Sequence, residues 1–171
     1  MNIRKKRISE MVDLLLNKAS VSGPAVSLEK IAETLNLKVG YESFDDNKCG
    51  CLIRKGNTGL IEINKDHPET RQRFTFAHEL GHYMMHGTTE GFVDNDTCVF
   101  LRDKDADQND TQEIEANYFA AELLMPEKFI GADLKNNLVS NEFIENISKK
   151  YNVSTQAMPI RLFNLGYPIT G

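Results

Sequence analysis

Apolar side chains recur at three- and four-residue spacing near the start of the chain, which predicts an amphipathic helix. This apolar face consists of Ile8, Met11, Val12, Leu15, Leu16 and Ala19. The run from Ser22 to Pro24 ends the helix, and Ser27 is a candidate N-cap for a second, shorter one. The apolar face of the second helix is Leu28, Ile31, Ala32 and Leu35. We therefore predict two helices within residues 1–36.

From Leu37 the spacing of apolar residues shortens towards two, which is typical of β-strands. The alternating positions are Val39, Tyr41, Cys49, Cys51, Ile53, Leu60 or Ile61, and Ile63, with a turn at residues 55–59. Three short antiparallel strands fit this pattern. Pro68 then suits the first turn of a helix, and Gly81 is the one breaker before Gly87. The pattern thus predicts a long helix after the strands.

The second half of the chain begins with a stretch of little periodicity, from Thr88 to Thr111, which is rich in Asp and predicts a long surface loop. Helical spacing returns from Glu113 to Met125, and Pro126 follows it. Two further helices are predicted over 143–151 and 154–165. Pro159 lies inside the last of them and removes a backbone donor, so we expect a kink there.

Length and composition indicate a single domain, residues 1–171, because 171 residues with 40% hydrophobic content can bury one sizeable core. Within it, residues 1–36 form N-terminal helices and 37–126 form the sheet and the core of the domain. Residues 127–171 form a C-terminal helical pair. The fold class predicted is α+β, with the short sheet packed on the long helix.

Charge and cysteine content narrow the function classes. The net charge of −5 disfavours broad binding to nucleic acids or anionic membranes, since those partners repel a negative surface. The basic run at residues 4–7 is followed by no apolar stretch long enough for a signal peptide or a membrane span. Three cysteines, Cys49, Cys51 and Cys98, are too few for a disulfide framework. We expect a cytoplasmic protein that does not contact membranes.

A run in the long helix, His78-Glu79-Leu80-Gly81-His82, carries the clearest chemistry. Two histidines four residues apart lie one turn, about 6 Å, apart on the same helix face, so both rings can bind one zinc ion. Glu79 points about 100° away from that face and can act as the general base on water. Two solvated histidines on an ordinary helix are the alternative interpretation.

A catalytic zinc needs a third protein ligand. His86 lies about 12 Å beyond His78 along the same helix, which is too far, so we expect it to hydrogen-bond a ligand or to pack in the core. Glu115 lies on the inward apolar stripe of the next helix and is the preferred third ligand, with Glu113 as the alternative. A buried ion pair of Glu115, for example with Arg73, would also explain an inward carboxylate.

Two segments, RQRFTFAHELGH at 71–82 and EANYFAAELLMP at 115–126, resemble the ImmA/IrrE metallo-endopeptidases. The resemblance extends in order of elements from about Ser27 to Pro126. It implies a small zincin-like fold of the minimal gluzincin type, one Zn²⁺ held by two histidines and a glutamate, and cleavage of Xre-type helix-turn-helix repressors of phages or other mobile elements. The acidic loop 88–111 is a candidate for setting substrate choice. Oxyanion stabilisation remains open among Tyr83, His86 and Tyr118.

Three further sequence features are better explained by ordinary structure than by a specific function. The run Asp103 to Asp107 begins like a calcium loop but lacks the later glycine and glutamate, so a solvated acidic loop is preferred. The cysteines fit as small apolar residues better than as a redox or second zinc site. Residues 144–165 have helix-turn-helix proportions, but the net charge and Pro159 make direct DNA binding a poor interpretation.

Two other functions stay open beside the peptidase. The chain could be a non-catalytic metal-binding regulatory module that binds a repressor, or a metal-assisted hydrolase acting on something other than peptides. A Glu79→Gln change separates the enzyme from the module, since only an enzyme loses its function when the base is removed.

Overall fold

The structure is a computed structural model that describes residues 4–44, 48–55, 58–86, 92–93, 108–134 and 139–167. Within these ranges helices flank one small sheet. The elements in chain order are α1 (Lys5–Lys18), α2 (Leu28–Thr34), β1 (Leu37–Glu42), β2 (Gly50–Lys55), β3 (Thr58–Asn64), α3 (Glu69–Met85), β4 (Phe92–Val93), α4 (Gln108–Leu124), α5 (Glu127–Leu134), α6 (Asn141–Tyr151) and α7 (Ala157–Asn164). The predicted α+β class is confirmed.

The sheet has the strand order β1-β3-β2-β4. Strands β2 and β3 pair antiparallel, as do β2 and β4, but β1 pairs parallel to β3, with Leu37 opposite Gly59. The prediction of an all-antiparallel sheet was therefore wrong for β1, and β4 was not predicted. Period-two patterning says which face a side chain takes, and it carries no information on strand order or direction.

Helix α3 packs on β2 and β3, and α4 packs along α3. Ile61, Ile63 and Leu80 are fully buried between the sheet and α3. A Cβ added at Gly81 would lie 3.1 Å from the Ala116 Cα and 3.2 Å from the Phe119 Cβ. The absence of a side chain at Gly81 thus allows the close approach of α3 and α4, which places the two predicted ligand helices side by side.

The N-terminal helices agree with the sequence pattern. Ser27 caps α2, because its Oγ accepts a hydrogen bond from the Lys30 backbone N–H at 3.4 Å. Helix α1 packs on α4, with Ile8 and Leu16 fully buried. Helix α1 therefore packs against the helix that carries Glu113 and Glu115.

The C-terminal part shows two departures from prediction. Helix α5 follows Pro126 directly and was missed, and α7 begins at Ala157 rather than at 154. Pro159 is the third residue of α7, within the first turn, where a backbone N–H has no intrahelical acceptor in any case. The position is therefore compatible with a regular helix, and the sequence argument for a kink at Pro159 does not hold.

The predicted loop from 88 to 111 is described only in part. Strand β4 lies within it, and α4 begins at Gln108, five residues before the predicted start. Cys98 and the run Asp103 to Asp107 lie outside the described residues. None of the helices in the described ranges has the length and apolar character that crossing a membrane requires.

Candidate metal centre

Two imidazoles converge in the middle of α3. The rings of His78 and His82 have centroids 4.6 Å apart, and their Nε2 atoms approach to 2.9 Å. Both residues are only 3% exposed. The helical spacing in the sequence predicts this geometry, because residues four apart share one face.

The carboxylate beside these imidazoles belongs to Glu113 of α4. Its Oε2 lies 3.2 Å from the His78 Nε2, and its Oε1 lies 3.1 Å from the His82 Nε2. Burial raises the pKa of Glu113, but hydrogen bonds with His78 and His82 outweigh burial and lower that pKa to about 2. Glu113 is therefore a carboxylate at neutral pH.

His78, His82 and Glu113 together are called the metal centre below. One ligand atom from each lies within 4.8 Å of the others. Nitrogen and oxygen ligands at about 2.0–2.1 Å from a tetrahedral zinc ion are about 3.3–3.4 Å from one another. The observed separations of 2.9–3.2 Å are close to that value. The donor set of two imidazoles and one carboxylate therefore fits zinc.

Asn117 and burial favour the form of the two imidazoles that can bind a metal. The His78 Nδ1 lies 2.9 Å from the Asn117 Oδ1, so with this amide orientation Nδ1 donates and Nε2 keeps its lone pair. Burial lowers the pKa of His82, which favours its neutral form. Neutral imidazoles are the form that binds a metal.

Glu115, the preferred third ligand in the sequence analysis, is buried but faces a different site. Its carboxylate accepts hydrogen bonds from Arg4, at 2.9 Å from Nε and 2.5 Å from Nη2. Glu115 lies about 200° around α4 from Glu113, so the two carboxylates cannot point at the same place. The position of Glu115 on the inward apolar stripe predicted its burial, which the structure shows, but not which side chains it contacts. The alternative, Glu113, is the one that the structure brings to the imidazoles.

The ion pair considered for Glu115 exists, but its partner is Arg4 rather than Arg73. Arg73 instead donates to the backbone oxygens of Val26 at 2.8 Å and Asn152 at 3.3 Å. It thereby connects α3 with the segments before α2 and after α6. In the sequence Arg4 is only one member of a basic run, and nothing there predicts its ion pair with Glu115. The two residues are 111 positions apart.

His86 lies between the metal centre and Glu115. Its Nδ1 is 3.2 Å from the His82 Nδ1, and its Nε2 is 3.2 Å from a Glu115 oxygen. The expected contact of His86 with a predicted ligand, His82, is therefore present.

Glu79, the predicted general base, is fully buried on α3. Its charge is among the causes, after burial and Glu62, that raise the pKa of the Cys51 thiol of β2 to about 11, so Glu79 lies close enough to β2 to act on this thiol. This thiol is thus protonated at neutral pH, and Cys49 and Cys51 are both buried and form no disulfide. These properties agree with the interpretation of both cysteines as small buried residues.

The tyrosines considered for oxyanion stabilisation contact other groups. Tyr83 stacks with Arg54, whose guanidinium carbon lies 4.5 Å from the ring centre, and Tyr118 has the Lys5 Nζ 5.5 Å from its ring centre. His86 makes the two contacts given above. These contacts do not single out a residue for that role.

Residues 32–163 match the peptidase M78 family, described as the IrrE N-terminal-like domain. The chain is also 27% identical over 120 residues to "uncharacterized immunity region protein 2" of Bacillus phage phi105, covering 70% of this chain and 69% of the phage protein. It is 30% identical over 107 residues to "metallopeptidase ImmA" of Bacillus subtilis (strain 168). That alignment covers 63% of this chain and 57% of the ImmA chain, which is less than two thirds of the latter.

Proposed function

We propose, since this chain belongs to the peptidase M78 family of IrrE N-terminal-like domains, that it is a zinc-dependent endopeptidase that cleaves a helix-turn-helix repressor. One observation carries the proposal: two buried imidazoles and a carboxylate meet within hydrogen-bonding distance, beside a buried glutamate. The immunity-region name of the phage relative and the name ImmA support a substrate that regulates phage or mobile-element genes.

In this proposal His78, His82 and Glu113 hold the metal. A zinc ion bound there would polarise a peptide carbonyl and lower the pKa of water. Glu113 replaces Glu115 as the proposed third ligand because its two oxygens lie 3.1 and 3.2 Å from the ligand nitrogens. Its negative charge also leaves the complete set with net charge +1 when the ion is divalent.

Glu79 does the proton transfer. Its carboxylate accepts a proton from the water that attacks the scissile carbonyl, and it then passes that proton to the departing amine. The position of Glu79, next to His78 but about 100° around the helix, keeps it near the reacting atoms without making it a ligand. Its burial removes competing bulk water from the carboxylate, which strengthens its interaction with the attacking water.

The test is a Glu79→Gln variant incubated with a purified helix-turn-helix repressor of the Xre type. We expect zinc binding and folding to be retained and cleavage to fall by at least about 1,000-fold, because the neutral amide cannot accept the proton. Glu33→Gln on the exposed side of α2 is the matched control and should cleave like the wild type. Unchanged cleavage by the Glu79 variant would refute the enzyme. Repressor binding without any cleavage by the wild type would favour the non-catalytic module.

A further inference from the structure

We propose that Arg4, Glu115 and His86 form a hydrogen-bonded chain, here called the Arg4 relay, that fixes the orientation and tautomer of His82 in the metal centre. This proposal rests on the proposed function, because it concerns the ligands of the proposed zinc. The residues of the Arg4 relay touch no substrate, so they are positioning residues.

The first step of the relay is the ion pair between Arg4 and Glu115. Arg4 donates three hydrogen bonds to the Glu115 carboxylate: from Nε at 2.9 Å, from Nη2 at 2.5 Å and from its backbone N–H at 3.3 Å. Glu115 is 3% exposed, whereas the Arg4 side chain is 43% exposed. A buried carboxylate held by a fork of this kind has a fixed position and stays ionised.

The second step sets the protons on His86. An ionised carboxylate only accepts hydrogen bonds, so the His86 Nε2, 3.2 Å from Glu115, must carry the hydrogen. In a neutral imidazole whose hydrogen is on Nε2, the Nδ1 has a lone pair. His86 can therefore only accept at Nδ1.

The third step reaches the ligand itself. The His82 Nδ1 lies 3.2 Å from the His86 Nδ1, and since the latter accepts, the former must donate. The Nε2 of a neutral His82 then keeps its lone pair, and that is the atom beside Glu113 and His78. The Arg4 relay thus determines which nitrogen of His82 is available to a metal.

The two ligand histidines are fixed by different means. His78 is oriented directly by the Asn117 amide at 2.9 Å, on α4. His82 is oriented through His86 by a charged pair whose arginine stands immediately before α1. Outer partners of this kind typically change metal affinity by about 10–100-fold when they are removed. Arg4, which directly precedes α1, therefore supports the metal centre.

The experiment measures Zn²⁺ affinity by competition with a chromophoric chelator, and the visible spectrum of the Co²⁺-loaded protein. Arg4→Met and His86→Phe should each weaken Zn²⁺ binding about 10–100-fold and alter the Co²⁺ ligand-field bands, because His82 is no longer held in one tautomer. Arg4→Lys keeps the positive charge and should recover part of the loss. Folding is checked by circular dichroism of the metal-free proteins.

The matched control is Glu122→Gln, which breaks another buried ion pair of α4, that of Glu122 and Arg161 at 2.9 Å. It should lower stability but leave Zn²⁺ affinity within about twofold of the wild type, since no chain of hydrogen bonds in the described residues joins it to the metal centre. Wild-type affinity in both Arg4→Met and His86→Phe would overturn the relay while the proposed peptidase stood. Failure of the wild type to bind Zn²⁺ would overturn both.

Discussion

Helix α4 carries two buried glutamates, one in its middle and one in its last turn, and the two form ion pairs of the same kind with different consequences. Glu115 and Glu122 lie seven residues apart, on one face of the helix. Glu115 pairs with Arg4 before α1, and Glu122 pairs with Arg161 of α7 at 2.9 Å. The residue that precedes α1 and helix α7 are thus tied to the same helix.

The partners beyond each ion pair differ. Glu115 also meets His86, which leads to the metal centre, whereas Arg161 donates from Nε to the Met125 backbone oxygen at 3.0 Å, at the end of α4. Arg161 is 2% exposed and Arg4 is 43% exposed. Burial and charge alone therefore do not tell whether an ion pair only stabilises the fold or also supports a functional site. The further hydrogen bond of each pair does: it leads to His86 in one case and to the Met125 backbone in the other.

The largest effect that we expect is a loss of stability when the ion pair of Arg161 and Glu122 is broken. Arg161→Met leaves the Glu122 carboxylate buried without its cation, which should cost about 3–5 kcal/mol of the free energy of unfolding. Urea titration of the metal-free protein measures the loss. Arg4→Met should cost less, because its arginine is half-exposed and the interaction is partly screened by solvent.

Equal losses of stability in these two variants would contradict the proposed difference between the two ion pairs. Zinc affinity supplies the second half of the test: it should stay near the wild-type value in folded Arg161→Met and fall in Arg4→Met. The reverse order of affinities would show that the Arg161 end, not the Arg4 end, supports the ligands.

A smaller effect is expected where α3 and α4 touch, next to Glu115. Gly81→Ala introduces a Cβ at 3.1 Å from the Ala116 Cα and 3.2 Å from its backbone oxygen, so the helices must separate by a few tenths of an ångström. We expect a loss of about 1–3 kcal/mol, despite the better helix propensity of alanine. Calorimetric unfolding measures it, with Ala121→Ser on the half-buried side of α4 as the control for a change of similar size. A more stable Gly81→Ala variant would contradict the close packing.

In the region around the metal centre, some features could be predicted from the sequence and others could not. The spacing of His78 and His82 sufficed to predict their convergence, because the geometry of a single helix decides it. The sequence pattern favoured Glu115, whereas the structure places Glu113 beside the imidazoles, because the position of each carboxylate depends on how α4 is rotated against both α3 and α1. The contact of Arg4 with Glu115 spans 111 positions and has no local pattern. The parallel pairing of β1 with β3 is non-local in the same way, since it follows from strand order and not from side-chain alternation.

The smallest effect that we expect is on how the free energy of unfolding changes at low pH, where Glu115 titrates. Hydrogen bonds from Arg4 lower the pKa of Glu115 from its usual 4.5 to about 2. Because the folded-state pKa is the lower one, this contribution to stability is present above about pH 4.5 and is lost as the pH falls towards 2. Glu115→Gln removes the titrating group, so metal-free variant protein should lose about 1–2 kcal/mol less than the wild type over that range. Urea unfolding at several pH values measures the difference, and Glu33→Gln on exposed α2 should follow the wild type. Parallel curves for the wild type and Glu115→Gln would mean that Arg4 does not hold this carboxylate ionised, and the first step of the Arg4 relay would fail with it.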